Sequence, residues 1–390
     1  MQNARVLVSF LLRAVVVGLA AAFLVVWWKP ALLGAVTAPA HGTALVPARP
    51  TVVMQSFADS VARAAPAVVN IYTARVVTER RQSAPLDQLF GDYWPSYRQH
   101  VERSLGSGVI VDGKGTIVTN QHVIARADSI KVQLADGRIA EATIVGQDPE
   151  TDIAILHLSI GDLPVMPLGR SDTLRVGDIV LAIGNPYGLS QTVTQGIVSA
   201  TGRGQLGLAT FENFIQTDAP INPGNSGGAL VDANGNLLGI NTAIYSRSGG
   251  SLGIGFAIPV TTARSVLESI ITTGTVTRGW IGVEPQDLTP EIADSFNLKQ
   301  TSGAIISGVL QGSPADKGGM RPGDILLGVN GEDITDTTKL LNVIAQIQPG
   351  STAQVRVIRK GHEMSLNIKV GKRPPPPKQA SDDSSDQPSN

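Results

Sequence analysis

The chain has 390 residues, no cysteine and a formal net charge of −1, from 31 Lys and Arg against 32 Asp and Glu. So balanced a charge excludes the basic field of a nucleic-acid binder, and no nucleic acid is expected as a partner. The missing cysteine excludes disulfides, thiolate metal sites and a cysteine nucleophile; with no clustered metal-ligand pattern either, neither metal nor cofactor is expected. The length predicts two or three folded units, and 42 Gly with 24 Pro favour many short strands over long helices.

Val6–Trp28 is almost unbroken apolar chain, about 23 residues or ~34 Å as a helix, enough to cross a bilayer. Arg13 lies in its first third and can snorkel to the N-terminal face, which Arg5 and the terminal amine place in the cytoplasm. Trp27 and Trp28 before Lys29-Pro30 read as an interfacial belt and a helix stop. Residues 1–30 are therefore expected to be an anchor, and 31–52, rich in Ala and Pro, a linker. A cleaved signal peptide with Ala14–Val26 as its apolar core is the competing reading, and both export the remainder.

A first folded unit is expected over 53–274. A short helix at 56–65 leads into a strand at 67–73, and 74–104, polar and without alternation, reads as a long mobile loop. Short β-rich runs then follow in quick succession from Gly108 to Ile258, separated by Gly, Asn, Asp and Pro, which predicts paired barrels or a sandwich. A helix at 260–272 closes the unit at Gly274. From 278 to 372 a compact α+β unit is expected, with Asp336 capping a helix whose Leu340, Val343, Ile344 and Ile347 share one face. Residues 373–390, Pro- then Ser/Asp-rich, read as a disordered tail.

The sharpest local string is Asp218–Gly228, DAPINPGNSGG, where glycines around Ser226 allow a tight turn and close approach of a carbonyl to N–H groups. A serine hydroxyl needs a base, and five histidines allow elimination. His41 lies in the linker, His100 in the irregular segment, His157 in an alternating strand and His362 in the last hairpin. His122, between a strand and a short turn, remains. Asp152 opens an apolar strand and suits the carboxylate that fixes an imidazole tautomer. The order His122, Asp152, Ser226 matches chymotrypsin-like double β-barrels. It also disposes of Gly224-x-Ser226-x-Gly228 as an α/β-hydrolase elbow, which needs its acid and histidine after the serine. Gly202-x-Gly204-x-x-Gly207 lacks the βαβ surroundings of a dinucleotide site.

GSGVIVDGKGTIVTNQHVI (106–124), DPETDIAIL (148–156) and TDAPINPGNSGGAL (217–230) resemble the HtrA family of ATP-independent serine proteases. The resemblance runs over about residues 53–372. It implies a mostly β fold, a chymotrypsin-like double β-barrel followed by a small α+β PDZ domain, behind the N-terminal transmembrane helix. It implies His122 as general base, Asp152 as its orienter, Ser226 as nucleophile, and the N–H groups of Gly224 and Ser226 as oxyanion hole. Trp280, Ile281, Gly282 and Val283 resemble the PDZ carboxylate-binding loop, with a peptide added as a strand beside the helix that Asp336 caps. Arg203, Pro186 and Tyr187 resemble regulatory residues of the membrane-anchored, single-PDZ DegS/AlgW-like branch, although Pro223 departs from its pattern. That branch implies a homotrimer, held near Phe57, in the bacterial inner membrane with its catalytic and PDZ domains in the periplasm. Its implied partners are C-terminal peptides of misfolded outer-membrane proteins and a membrane-bound, anti-sigma-factor-like regulator as protein substrate. General periplasmic quality control is the alternative reading, and a non-catalytic peptide-binding scaffold a third. Pro220 and Ile221, where trypsin carries an anionic pocket floor, predict cleavage after small or medium aliphatic residues.

Overall fold

The computed structural model describes residues 2–28, 56–80, 97–185, 191–244, 250–296 and 302–374. Residues up to Gln55 form one compact unit, and those from Ser56 another. The first holds helix α1 (Gln2–Trp28), whose side chains are described from Arg13. Among the residues so described, no helix is long and apolar enough to cross a membrane, so the anchor reading rests on the sequence.

The second unit opens with α2 (Ala58–Ala64) and then builds two closed barrels. The first uses β1 (Val68–Arg80), β2 (Tyr97–Ile110), β3 (Thr116–Asn120), β4 (Ser129–Gln133), β5 (Ile139–Asp148) and β6 (Ile153–Leu158), in the order β1-β2-β3-β6-β5-β4. The second uses β7 (Ile179–Gly184), β8 (Thr192–Arg203), β9 (Phe214–Thr217), β10 (Ala229–Asp232), β11 (Leu237–Ile244) and β12 (Gly255–Pro259), in the order β10-β11-β12-β9-β8-β7.

Alternation along single strands feeds two cores at once. On β6, Ala154, Leu156 and Leu158 fill the first barrel, while Ile153 and Ile155 enter a seam shared with the second. On β7, Val180 and Ala182 fill the second barrel, while Leu181 and Ile183 enter the same seam. That seam is why these strands read as unbroken apolar runs: both faces are buried. The structure differs from the sequence expectation at 74–80 and 97–104, while 81–96 lie outside the described residues. There β1 and β2 continue as a two-stranded ribbon, paired from Val68↔Val109 to Arg80↔Tyr97. Val76 and Val101, opposite each other on it, are both exposed, so the face they share is not buried and imposes no period of two.

Helix α4 (Val260–Thr273) closes the barrels and ends on Gly274, left-handed at φ +75°, whose N–H reaches the Ile270 carbonyl at 2.9 Å (α3 is the single turn Gln121–Ile124). The chain then enters an antiparallel sheet of β14 (Val283–Asp287), β15 (Ala304–Val309), β16 (Ile325–Val329), β18 (Thr352–Arg359) and β19 (His362–Lys369). The short strand β17 (Glu332–Asp333) pairs with β16, and β13 (Gly279–Trp280) pairs with β20 (Gly371–Lys372). Two short helices, α5 (Pro290–Ser295) and α6 (Pro314–Lys317), lie in its connections. Helix α7 (Thr337–Gln346) buries Leu340, Val343 and Ile344 on it, and the Asp336 carboxylate accepts the Lys339 N–H at 2.8 Å as its N-cap.

Candidate active site

The seam between the barrels carries the three residues singled out in the sequence. Asn120, extended at the end of β3, turns the chain into α3, which buries Val123 and Ile124 and leaves the His122 side chain 49% exposed. Asp152 follows the turn after β5 and holds φ +60°, a region a non-glycine residue rarely adopts. Its surroundings impose that conformation. The Asp152 carbonyl accepts the Gln121 N–H at 3.1 Å and Asn120 Nδ2 at 3.0 Å. Its carboxylate accepts the His122 N–H at 2.9 Å, His122 Nδ1 at 2.7 Å and Thr242 Oγ1 at 2.7 Å. An ionised carboxylate only accepts, so the imidazole proton sits on Nδ1 and the Nε2 lone pair is left open.

Ser226 comes from the second barrel, on the loop between β9 and β10. Gly227, at φ +83°, must be glycine: an added Cβ would lie 2.0 Å from the Ser107 carbonyl oxygen. The Ser226 hydroxyl donates to the Thr242 carbonyl at 3.1 Å, and among the described residues it makes no bond to His122. The Gly224 and Ser226 N–H groups find no protein acceptor among the described residues. Thr242 thus touches both halves, its hydroxyl on Asp152 and its carbonyl on Ser226. Sequence reading missed it, because a threonine inside the apolar β11 carries no local signal. At the pocket position Pro220 is exposed, while Ile221 is buried with its Cδ1 against Gly255.

The PDZ-like sheet supplies a second site. Trp280, Ile281, Gly282 and Val283 line a cleft with Leu340 and Ile344 of α7 that encloses about 40 Å³, room for a few waters. Gly282 turns at φ +77°, and the Ile281 and Gly282 N–H groups have no acceptor among the described residues. Two further residues close this cleft, neither foreseen from sequence: Phe211 of the protease unit, and Arg373, which the sequence reading assigned to the tail. The Phe211 ring lies under two guanidinium groups, Arg278 at 4.5 Å and Arg373 at 5.1 Å.

Those arginines reach the turn that ends in Asp152. Buried Arg278 bonds both carboxylate oxygens of Asp148, at 2.9 Å for Nη1–Oδ1, and Glu150 at 3.3 Å; Arg373 bonds Glu150 at 2.8 Å. The Phe211 N–H donates to the Glu150 carbonyl at 2.9 Å. The glycine-rich segment at 201–210 is gathered by one buried carboxylate. Glu212 accepts the N–H groups of Leu206 and Leu208 at 2.7 Å and Ala209 at 3.3 Å. Asn342 of α7 bonds the Glu212 carbonyl at 2.7 Å, and Gly204 packs on Thr338. Arg203 lies at this junction, its Nε on Gln216 at 2.8 Å, in a cleft shared with Asp336 and Thr338. Pro186 and Tyr187 lie outside the described residues.

Two closed barrels joined along a seam of serine, histidine and aspartate, with a PDZ-type sheet behind them, define a chymotrypsin-like serine endopeptidase. The comparisons agree part by part: residues 106–240 match the trypsin-like peptidase domain family, and 279–370 the PDZ domain family. A probable periplasmic serine endoprotease DegP-like from Hahella chejuensis is 43% identical over 333 residues, 82% of this chain and 71% of that protein. The solved HtrA-type protease AlgW with a decapeptide is 52% identical, with a TM-score of 0.69 over 83% of this chain and 100% of that one. The serine endoprotease from Yersinia pestis is 40% identical, with a TM-score of 0.59 over 82% of this chain and 99% of that one. The chain belongs to the HtrA-type serine endoproteases.

Proposed function

We propose that this endopeptidase is a membrane-anchored, periplasmic enzyme of envelope stress signalling. Misfolded outer-membrane-protein C-termini occupy its PDZ cleft, and it then cleaves a membrane-bound regulator of the anti-sigma-factor type. The observation that carries the reading is the shared turn Asp148–Asp152. Its last residue orients His122, and its Asp148 and Glu150 hold the arginines that flank the PDZ cleft. A ligand that moves Arg373 or Phe211 therefore acts on the segment that positions Asp152. The names of the curated relatives support the periplasmic compartment, and the peptide-bound AlgW structures support peptide recognition.

Ser226 attacks the substrate carbonyl carbon as its proton passes to His122 Nε2, while Asp152 keeps Nδ1 protonated and stabilises the imidazolium. The Gly224 and Ser226 N–H groups receive the oxyanion. His122 then gives its proton to the leaving amine, and water repeats the sequence on the acyl-enzyme. For the first step the Ser226 hydroxyl must leave the Thr242 carbonyl for His122 Nε2. Residues 1–30 anchor the chain, 31–52 link, 53–274 catalyse, 278–372 bind the peptide, and three copies meet near Phe57. Ile221 favours cleavage after small or medium aliphatic residues. Arg203 relays PDZ occupancy to the oxyanion loop through Gln216 and the adjoining α7 cap.

The relatives named DegP-like support general quality control as a second reading, but identity to AlgW is higher, 52% against 43%. Peptide-stimulated hydrolysis by the full chain in phospholipid vesicles separates the two. Peptides with a free C-terminal carboxylate should stimulate cleavage of a folded, membrane-bound regulator domain, and amidated peptides should not. Equal cleavage of denatured generic protein with no peptide added would replace signalling by quality control. Arg203→Ala should lower stimulated turnover with peptide affinity unchanged; full stimulation in that variant would remove Arg203 from the relay.

A further inference from the structure

Ser107 sits on β2 with no solvent exposure, between two glycines that have no room for side chains. A Cβ at Gly106 would meet Val123 at 2.5 Å, and one at Gly108 would meet Ile117 at 2.7 Å. A serine buried in a strand spends its hydroxyl on a specific partner or leaves it costly. Here the donors and acceptors of Ser107 converge on the catalytic loop of the other barrel. Its N–H donates to the Ser226 carbonyl at 2.8 Å, and its Oγ donates to the Gly224 carbonyl at 2.7 Å. The same Oγ accepts the Asn185 N–H at 3.0 Å, at the end of β7. Its own carbonyl accepts Thr119 Oγ1 at 2.7 Å, one turn of chain before His122.

We propose that Ser107 is a positioning residue for the oxyanion hole, acting through the Gly224 and Ser226 carbonyls. The peptide planes on either side of the 225–226 peptide are the ones it fixes, and that peptide carries the Ser226 N–H. The loop's other bonds stay within it or within the second barrel. Within it, Asn225 N–H donates to the Asn222 carbonyl at 3.0 Å and Gly228 N–H to the Asn225 carbonyl at 2.8 Å. To β11 run Gly227 N–H to the Asn241 carbonyl at 2.8 Å, Asn241 N–H to the Gly228 carbonyl at 2.9 Å and the Ser226 hydroxyl to the Thr242 carbonyl. These bonds keep the loop's shape and seat it on β11, but His122 stands on the first barrel, and among the described residues the bonds that run directly from that barrel to the loop are those of Ser107. Ser107 ties that barrel to the loop by two bonds, and its hydroxyl leaves the Gly224 carbonyl no freedom to turn over. Without the hydroxyl, the buried Gly224 carbonyl and Asn185 N–H both lose their partner. A loop that turns to recover a partner moves its open N–H groups away from the oxyanion.

The inference rests on Ser226 being the nucleophile, and the test keeps the two apart. Ser107→Ala and the near-isosteric Ser107→Cys are compared with wild type, full chain, by kcat and KM on a peptide substrate. A peptidyl boronate, which forms a tetrahedral adduct, and a PDZ-binding peptide with a free carboxylate serve as the two binding probes. We expect Ser107→Ala to lower kcat about 10- to 100-fold, as misplacement of transition-state groups does. Boronate affinity should fall in proportion, KM and PDZ peptide affinity should stay within about twofold by the same argument, and Ser107→Cys should fall between. Unchanged kcat, or a lower kcat with undiminished boronate affinity, overturns the proposal. If Ser107→Ala does not fold, the same two readouts on Ser107→Cys decide it. Hydrolysis that survives in Ser226→Ala overturns the nucleophile assignment instead, whatever Ser107 does.

Discussion

The two halves of the active site are held in different ways. The His122–Asp152 half is assembled within the first barrel, apart from the Thr242 hydroxyl that β11 of the second barrel lends to Asp152. The Asp152 backbone is forced left-handed by two donors to its carbonyl, and its carboxylate accepts from His122 twice and from Thr242 once. The Ser226 half is a glycine-rich loop whose hydroxyl rests on the Thr242 carbonyl and whose orientation depends on Ser107, across the seam. The base is preorganised, whereas the nucleophile and its N–H pair are set by contacts between barrels. A small rotation of that loop would part hydroxyl from imidazole without breaking the bonds that His122 makes to Asp152.

The largest effect should come from the nucleophile itself. Ser226→Ala should cut turnover about a million-fold, and Asp152→Asn about 10⁴-fold through the wrong imidazole tautomer, both read from steady-state hydrolysis. A milder Asp152→Asn would mean that the first half is less decisive than its bonds imply. Next is the junction that carries the turn. Arg278→Met leaves Asp148 buried with its main partner gone and should cost about 3–5 kcal/mol, seen as a lower melting temperature by calorimetry. Adding Asp148→Leu should recover most of that loss; no recovery would assign the cost to packing on Phe211 instead.

Thr242→Val tests the bridge between the halves, since it removes the hydroxyl on Asp152 and keeps the carbonyl under Ser226. It should lower kcat about tenfold with KM unchanged, the range of one lost positioning bond. A rise in KM alone would mean that Thr242 serves substrate binding.

The smallest effect lies away from the site, at Asp112. Burial pushes that carboxyl up, but the N–H and hydroxyl of Thr116 and the N–H of Lys114 outweigh it and hold its pKa below the usual 3.8. A depressed folded pKa gives stability that is present above the unfolded value and lost as pH falls through the folded one. Asp112→Asn should therefore cost about 1 kcal/mol near neutral pH in urea unfolding, with the difference from wild type shrinking below about pH 4. A difference independent of pH would show that the turn needs only the shape of the side chain.

The sequence alone determined the elements whose cause is local. Asp336 capped α7, Gly274 ended α4, and glycines marked the Ser226 turn, because caps and positive φ angles need particular residues at particular places. It also reduced five histidines to His122 and gave Asp152 and Ser226 in the order of a known catalytic arrangement. Other features were decided by residues far apart in the chain. The β1–β2 ribbon lacks alternation where its described face, at Val76 and Val101, stays exposed, so no periodicity could announce it. Thr242, Ser107, Phe211, Arg278 and Arg373 look like ordinary strand, loop or linker residues in a local window. Their roles come from partners more than a hundred positions away for Ser107 and Arg278, and ninety for Thr242. A hydrogen bond closes over about 3 Å of space whatever the sequence separation, and only the closed barrels bring those atoms within reach.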